Sequence, residues 1–336
     1  MRPSIFFIHT GNETFVRQDR EILCRFAAVQ DYYATHKFPF GFIHYLRGVK
    51  DNNLVFCWFA SWNSFWVLLL AKIFGKPSLL VIGGYDVASL PGANYGHQRG
   101  GLQRWVSRAA MGLSTSLVPF SHFSQMEAKV NASIPDSKMA MIYIGVPDFF
   151  SCLPISVRES MVLTVGNVEW PNLKRKGLEF FVRSAAYLPD VQFVLVGKWL
   201  DDSVDFLRSI ASTNVVFTGR VSDAELLQYY RRATVYVQAS LHEGFGLSVA
   251  EAMLAGCIPV VTRNGSLPEV VGDVGVYTQS TAESDLAEAI HRAFGVSPTL
   301  SGQCRQRILD LFPLERRQQR LQAVINDLIA RRYHHA

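Results

Sequence analysis

The sequence predicts an α/β protein made of two doubly wound parallel sheets, one in each half of the chain. Three observations lead there. Short apolar runs alternate with helical stretches from end to end, the pattern of strands buried on both faces by crossover helices. The length of 336 residues suits two domains of about 150 residues each. Leu153-Pro154-Ile155-Ser156 interrupts the alternation near the middle, as a linker would. The expected division is a first domain over 1–150, a second over 155–312 and a closing helix over 313–336 that packs back on the first.

In order, the first half opens with a strand at Ser4–His9, a turn holding Gly11, and a helix from about Phe15 to Thr35. Leu54–Phe59 is a strand and Phe65–Phe74 a helix. Pro77–Gly83 is a buried strand ending in glycines, and Ser116–Pro119 and Met139–Ile144 are two shorter ones. In the second half the strands are Met161–Val165, Gln192–Val196, Val215–Thr218, Thr234–Gln238 and Ile258–Thr262, with a last one near Gly275–Thr278. Helices fall between them at Leu178–Tyr187, Val204–Ser209, Asp223–Arg232, Leu247–Leu254 and Ser284–Phe294. Gly256 stops one helix, and Pro268 starts a short one. In such sheets ligands sit at the carboxyl ends of the strands, here in a cleft between the two domains.

Composition narrows the class. Hydrophobic residues make up 49% and charged residues 18%, which excludes a disordered or collagen-like chain. Cys24, Cys57, Cys152, Cys257 and Cys304 are scattered and form no C-x-x-C pair, so a reducing compartment, the cytoplasm, is expected. The apolar start Ile5–Ile8 is too short for a secretory signal core. Leu54–Phe74 is rich in Trp, Phe and Leu, but Ser61, Asn63, Ser64 and Lys72 interrupt it. It reads as strand plus helix rather than a membrane span. Residues 1–150 hold 14 Lys+Arg and 9 Asp+Glu, net +5; the rest hold 19 of each. Together with Trp58, Trp62, Phe65 and Trp66, that surplus points to peripheral contact with an anionic membrane face. No nucleic-acid-binding signature is present.

The most informative segment runs from Ser240 through Glu243-Gly244-Phe245-Gly246-Leu247-Ser248 to Glu251 and Gly256. It leaves a buried strand, passes two glycines and opens a helix. Free N–H groups at a helix start attract anions, and glycines let a ligand approach the backbone. Glu243 and Glu251 are placed to grip hydroxyls on either side of a phosphate. Ser248-Val-Ala-Glu251 also fits a helix capping box. A second element is Gly166-Asn167 followed by Lys174-Arg175-Lys176-Gly177, a loop whose cations suit a pyrophosphate. A third, Gly219-Arg220-Val221, is a strand end where a flat base can rest on backbone.

Taken together, the Glu-x7-Glu pair Glu243/Glu251, Lys176-Gly177, the Gly219 turn and Thr262 to Asp273 resemble family-four retaining glycosyltransferases of the GT-B fold. The likeness covers most of the second half and is weak in the first, where Gly11 and Gly145-Val146 match. It implies a nucleotide-sugar donor, a glycan or lipid-linked acceptor, retention of anomeric configuration and no metal or other cofactor. It places Glu243 and the backbone of Gly244, Phe245, Gly246 and Leu247 at the donor sugar and phosphate. Glu251 falls on the ribose, Lys176 on the leaving pyrophosphate, Gly11 beside the phosphate, and Gly219, Arg220 and Val221 at the base. No Asp-x-Asp or metal-spaced His/Asp cluster occurs in the sequence.

Two departures stand out. Asn167 occupies the place where the family often has an Arg, so either Arg175 or Lys174 supplies the phosphate clamp or phosphate binding is weaker. Gly83-Gly84-Tyr85-Asp86 replaces a stretch that often carries a His, which makes Asp86 the candidate acceptor-side residue; it is equally a loop-capping carboxylate. A catalytically silent sugar-nucleotide-binding subunit and a sugar-nucleotide epimerase are the alternatives. A nicotinamide dehydrogenase is disfavoured by the lack of a Gly-x-Gly-x-x-Gly after any strand.

Overall fold

The computed structural model describes residues 2–11, 13–34, 41–151, 158–280, 282–297 and 299–334. The elements of the first half are β1 (Ser4–His9), α1 (Thr14–Phe26), β2 (Ala28–Tyr33), α2 (Phe42–Asp51), β3 (Leu54–Trp58), α3 (Trp62–Ile73), β4 (Ser78–Ile82), α4 (Gly101–Leu113), β5 (Ser116–Pro119) and α5 (His122–Ala132). Then come β6 (Glu159–Val165), α6 (Trp170–Arg175), α7 (Leu178–Ser184), β7 (Gln192–Val196), α8 (Ser203–Ser209), β8 (Val215–Gly219), α9 (Asp223–Arg232) and β9 (Ala233–Gln238). The chain closes with α10 (Leu247–Leu254), β10 (Ile258–Val261), α11 (Leu267–Val271), β11 (Val276–Tyr277), α12 (Glu283–Phe294), α13 (Thr299–Leu311) and α14 (Leu314–His334). The chain forms two compact units, 1–145 with 314–336, and 146–313.

In the first unit the parallel sheet has the order β2-β1-β3-β4-β5. β3 and β4 are buried throughout, by Leu54–Trp58 and Ser78–Ile82. Apolar surface buried on both faces of such strands stabilises the fold by about 25 cal/mol per Å². The helix expected over 15–35 ends at Phe26. Ala27 alone joins it to β2, an edge strand with only partial burial. The short apolar run at Met139–Ile144 is not a strand. It lies beside β5, with Ala140 N–H donating to Leu117 O and Ile142 N–H to Pro119 O, but only Leu117 and Met139 form a bridge. Its carbonyls at Ile142 and Tyr143 accept instead from Arg317 of α14. That guanidinium also donates to both oxygens of Asp19 at 2.6 Å, a fully desolvated pair that ties α14 to α1. Leu54–Phe74 is strand β3 and helix α3, and Trp58 is a core residue rather than a surface one. No described helix is long and apolar enough to cross a membrane.

The second sheet has the order β11-β10-β9-β6-β7-β8, all parallel. The chain reverses its winding at β6, so the crevice for a ligand opens beyond the carboxyl ends of β6 and β9. The linker reading at 153–156 falls outside the described residues.

Candidate active site

At that switch point, β6 runs into Gly166, β7 runs into Gly197 and β8 ends in Gly219. The three glycines are stitched together: Gly166 N–H donates to Val196 O at 2.9 Å and Gly197 N–H to Gly219 O at 3.1 Å. A Cβ on Gly197 would overlap the Gly166 carbonyl. Gly219 has φ +70° and lies under the Trp199 ring. The result is a floor of bare backbone along three strand ends. Gly197 and Trp199 carry no motif, and the sequence reading missed them.

The Lys176 loop sits over this floor. The Lys176 side chain packs its stem on Gly166, and its ammonium makes no hydrogen bond or ion pair among the described residues. Gly177 turns the chain with φ +71°; a Cβ there would strike the Ala239 carbonyl. Leu241 N–H donates to Arg175 O at 2.8 Å, so this loop is bound directly to the loop after β9. Arg175 is held by Asn172 Oδ1 at 2.6 Å from Nη2. Lys174 and Asn167 are exposed, and Asn167 uses its carbonyl to accept from Asn172 Nδ2 at 2.9 Å. Arg220 is exposed and Val221 half-buried in the turn between β8 and α9. α9 itself is capped by a Ser222–Glu225 box.

The loop from Ser240 to Gly246 carries the two glutamates. Gly246, at φ +86°, is the N-cap of α10 and offers no side-chain cap. The capping box read at Ser248–Glu251 is therefore not formed: the helix begins at Leu247, and Ser248 already lies in its first turn. Gly246 brings no side chain to the N–H groups of that turn. Glu243 is half-buried, and its Oε2 accepts from Gln238 Nε2 at 3.2 Å and Ser240 Oγ at 3.3 Å. The loop after β10 clamps this segment. Ser266 N–H and Oγ both donate to Glu243 O at 3.0 Å, Thr262 Oγ1 donates to Ser240 O at 2.6 Å, and Gly265 at φ +62° passes against the Glu243 backbone. Phe245 is buried edge-on against Phe312. Glu251 Oε2 accepts from the Tyr230 hydroxyl at 3.0 Å. Part of the residue surface reaches solvent, but the carboxyl lies deep among protein atoms. Burial pushes its pKa up to about 7, against the Tyr230 hydrogen bond that lowers it.

Gly11 and Asp86 lie in the other unit. Gly11 follows β1, at the switch point of that sheet, and its carbonyl is 2.5 Å from His9 Nδ1. Asp86 is 1% exposed. Its Oδ2 accepts from Ala60 N–H at 3.1 Å, and its Oδ1 from the N–H groups of Gly83 and Gly84 at 3.2 and 3.0 Å. Desolvation raises its pKa, while these donors and nearby His97 oppose the rise. This is the loop-capping geometry. No group of three or more His, Cys, Asp or Glu side chains arranged to hold a metal ion occurs among the described residues.

Residues 159–295 match the family model described as "Glycosyl transferases group 1". The match falls within the second unit and takes in both Glu243 and Glu251. The chain is 30% identical over 128 residues to the serotype-specific mannosyltransferase WbdA of Escherichia coli, covering 35% of this chain and 15% of that protein. It is 28% identical over 146 residues to alpha-galactosylglucosyldiacylglycerol synthase of Streptococcus pneumoniae, covering 41% of this chain and 37% of that one. The chain thus spans well under half the length of these relatives. Over 97% of its length it superimposes on all of Anabaena HepE, solved with UDP and glucose, with a TM-score of 0.75 at 17% identity. That likeness establishes the GT-B fold for this chain.

Proposed function

We propose that the protein is a metal-independent, retaining glycosyltransferase. It moves a sugar from a nucleotide donor to a glycan or lipid-linked acceptor, in polysaccharide or glycolipid synthesis. One observation carries the reading: an unpaired Lys176 ammonium stands over a glycine floor, on a loop bonded to the one that carries Glu243. That combination suits a pyrophosphate with a sugar at one end and a ribose at the other. The relatives' names support the reaction class, since they include a mannosyltransferase and a glycolipid synthase. HepE supports the donor class, being solved with UDP and glucose.

In this reading Glu251 accepts from the ribose hydroxyls, Arg220 and Val221 flank the base, and Gly219 lets it approach the backbone. Glu243 and the Gly244–Leu247 backbone meet the sugar and phosphate. As the bond between the anomeric carbon and the phosphate oxygen breaks, negative charge grows on the phosphate. Lys176 and the α10 N–H groups stabilise that charge, and one such preorganised donor is worth about 3 kcal/mol. The acceptor oxygen bonds to the same face of the sugar, and its proton passes to the departing phosphate oxygen. The positive charge a divalent cation would bring is supplied by Lys176 and the helix N-terminus.

A peripheral place on the cytoplasmic face of a membrane fits the first unit. Helices α2, α3 and α4 carry Arg47, Lys50, Lys72, Arg104 and Arg108 against one acid, Asp51. Phe65 and Trp105 rings meet at 5.7 Å, beside exposed Ile43, Trp62, Ile73 and Leu102. Basic residues interleaved with Trp suit an anionic interface. Flotation with vesicles containing anionic lipid should carry the protein up, and Trp105→Ala should weaken this. A protein left wholly in the soluble fraction contradicts the membrane part. For the reaction itself, labelled UDP-, GDP- and ADP-sugars are offered in EDTA with lipid and glycan acceptors, and the product anomer is read by NMR. Transfer with inversion, or transfer only when metal is restored, would overturn the corresponding part of the proposal.

A further inference from the structure

Two tryptophans stand exposed at the strand ends of the second sheet, and their surroundings differ. Trp170, after β6, is 49% exposed, yet it is fully engaged. Its indole N–H donates to Asp202 Oδ1 at 2.8 Å, and its ring packs on Phe206 at 5.5 Å. Trp199, after β7, is 42% exposed, and its indole N–H makes no hydrogen bond among the described residues. The Arg208 guanidinium lies over its ring, 4.4 Å from the centroid. A Cβ on Gly219 would come within 3.4 Å of Trp199 Cζ2, so the indole stands against the last strand end of the glycine floor.

The backbone holds Trp199 in place. Val168 N–H donates to Lys198 O at 2.8 Å and Leu200 N–H to Val168 O at 2.9 Å, a bridge that straps the segment after β7 to the segment after β6. Asp201 then accepts from the N–H groups of Trp170 and Ser203, both at 3.0 Å. A lone exposed aromatic needs no explanation. One that is strapped on both sides, braced by a cation and set on a floor of bare backbone is pre-organised to stack. Its position tells what it stacks. Along the sheet the order is β9, β6, β7, β8, so the Glu243 loop, the Lys176 loop, Trp199 and Gly219 follow one another. With neighbouring strands about 4.8 Å apart, Trp199 lies one strand and Gly219 two strands beyond the floor under Lys176. That is the side of a pyrophosphate away from the sugar, where a nucleotide carries its base.

We propose that Trp199 is the base-stacking residue of the donor site: the flat base lies on the indole surface that Arg208 leaves open, against the Gly219 turn. The assignment rests on the donor reading above. Stacking tolerates any base, because every base has a π-face, and removing the ring costs about 5- to 150-fold in affinity. Trp199 therefore sets how much more tightly a nucleotide is held than a bare pyrophosphate, and it leaves the choice among bases to other contacts.

The test titrates wild type, Trp199→Ala and Trp199→Phe by calorimetry with UDP, GDP, ADP and inorganic pyrophosphate, and follows tryptophan emission in parallel. Trp199→Ala should weaken the nucleotide that binds wild type at least fivefold. Its pyrophosphate affinity should stay within twofold, because pyrophosphate has no base. Trp199→Phe keeps a ring and should bind that nucleotide within threefold of wild type. The nucleotide should quench wild-type emission, and Trp199→Phe should lose most of that quench while still binding. A merely structural Trp199 would weaken nucleotide and pyrophosphate alike in Trp199→Ala and keep the quench in Trp199→Phe, which overturns the proposal. The quench decides the matter even where pyrophosphate alone binds too weakly to measure. Tight nucleotide binding that is indifferent to residue 199 sinks the proposal and spares the donor reading. If wild type binds none of the three nucleotides, the donor reading fails and the proposal falls with it.

Discussion

The two units present the same architectural opportunity, the carboxyl ends of parallel strands at a switch point, and use it in opposite ways. In the first unit Asp86 and His9, at those ends, are consumed. Asp86 accepts three backbone N–H groups. His9 has Gly11 O on one nitrogen and Asp31 on the other. Buried in the same unit, Arg317 donates to both oxygens of Asp19 and to the Ile142 and Tyr143 carbonyls. In the second unit the strand ends are stripped to glycine, and the charge above them, on Lys176, is left unspent. A saturated polar group stabilises a fold; an unsaturated one awaits a ligand. Glu251 shows the cost of keeping a group ready, since burial holds its pKa near 7.

This contrast predicts which substitutions act on stability and which on turnover. The largest effect is expected from Arg317→Ala, which strands the buried Asp19 charge. Breaking such a pair costs about 3–5 kcal/mol, read as a lower urea midpoint for the first unit. A change under about 1 kcal/mol would mean the pair is solvated. Asp86→Ala comes next: it leaves three N–H groups without an acceptor and should cost about 3 kcal/mol. Donor-nucleotide affinity should stay unchanged; a selective loss of transfer at constant melting temperature would make Asp86 a reacting group after all. Lys176→Ala should do the opposite, lowering kcat about 100-fold while calorimetry shows an unchanged melting temperature. Should it lose stability instead, the unspent charge would be structural.

The smallest effect is one of pH. The Glu251 pKa lies near 7 in the folded chain, against an ordinary 4.5. The folded state therefore holds a proton that the unfolded state has released. Stability falls as pH rises from about 4.5 to about 7 and is level above that, by at most about 3 kcal/mol. Glu251→Gln should flatten this slope in urea titrations; an unaltered slope would assign it to another group.

How much of this was readable beforehand follows the same physics. β1, β5, β7, α9 and α10 lie where the sequence placed them, because apolar runs and Gly or Pro punctuation bound them. β2 was hidden because its half-exposed Ala28–Tyr33 follows α1 with a single joining residue and no Gly or Pro between. Segment 139–144 was overread because an apolar run does not say where its carbonyls go, and here Arg317 takes them. At the site, Glu243, Glu251 and Lys176 carried their own motif. Gly197 did not, since its role appears only when β6 and β7 lie side by side. Tyr230, which bonds Glu251, looks like a core aromatic in the sequence. The available signal was Gln238, a polar residue closing a strand that should be apolar throughout.

The most direct test of the central claim is nucleotide binding by the second unit's strand ends. UDP, GDP and ADP are titrated by calorimetry into wild type, Glu251→Ala and Lys176→Ala in EDTA. The account predicts that one nucleoside diphosphate binds wild type and raises its melting temperature; at 100 times its Kd the gain is about 2.7 kcal/mol. Both variants should weaken that binding at least tenfold. Binding that is unchanged in both would place the nucleotide elsewhere and contradict the site.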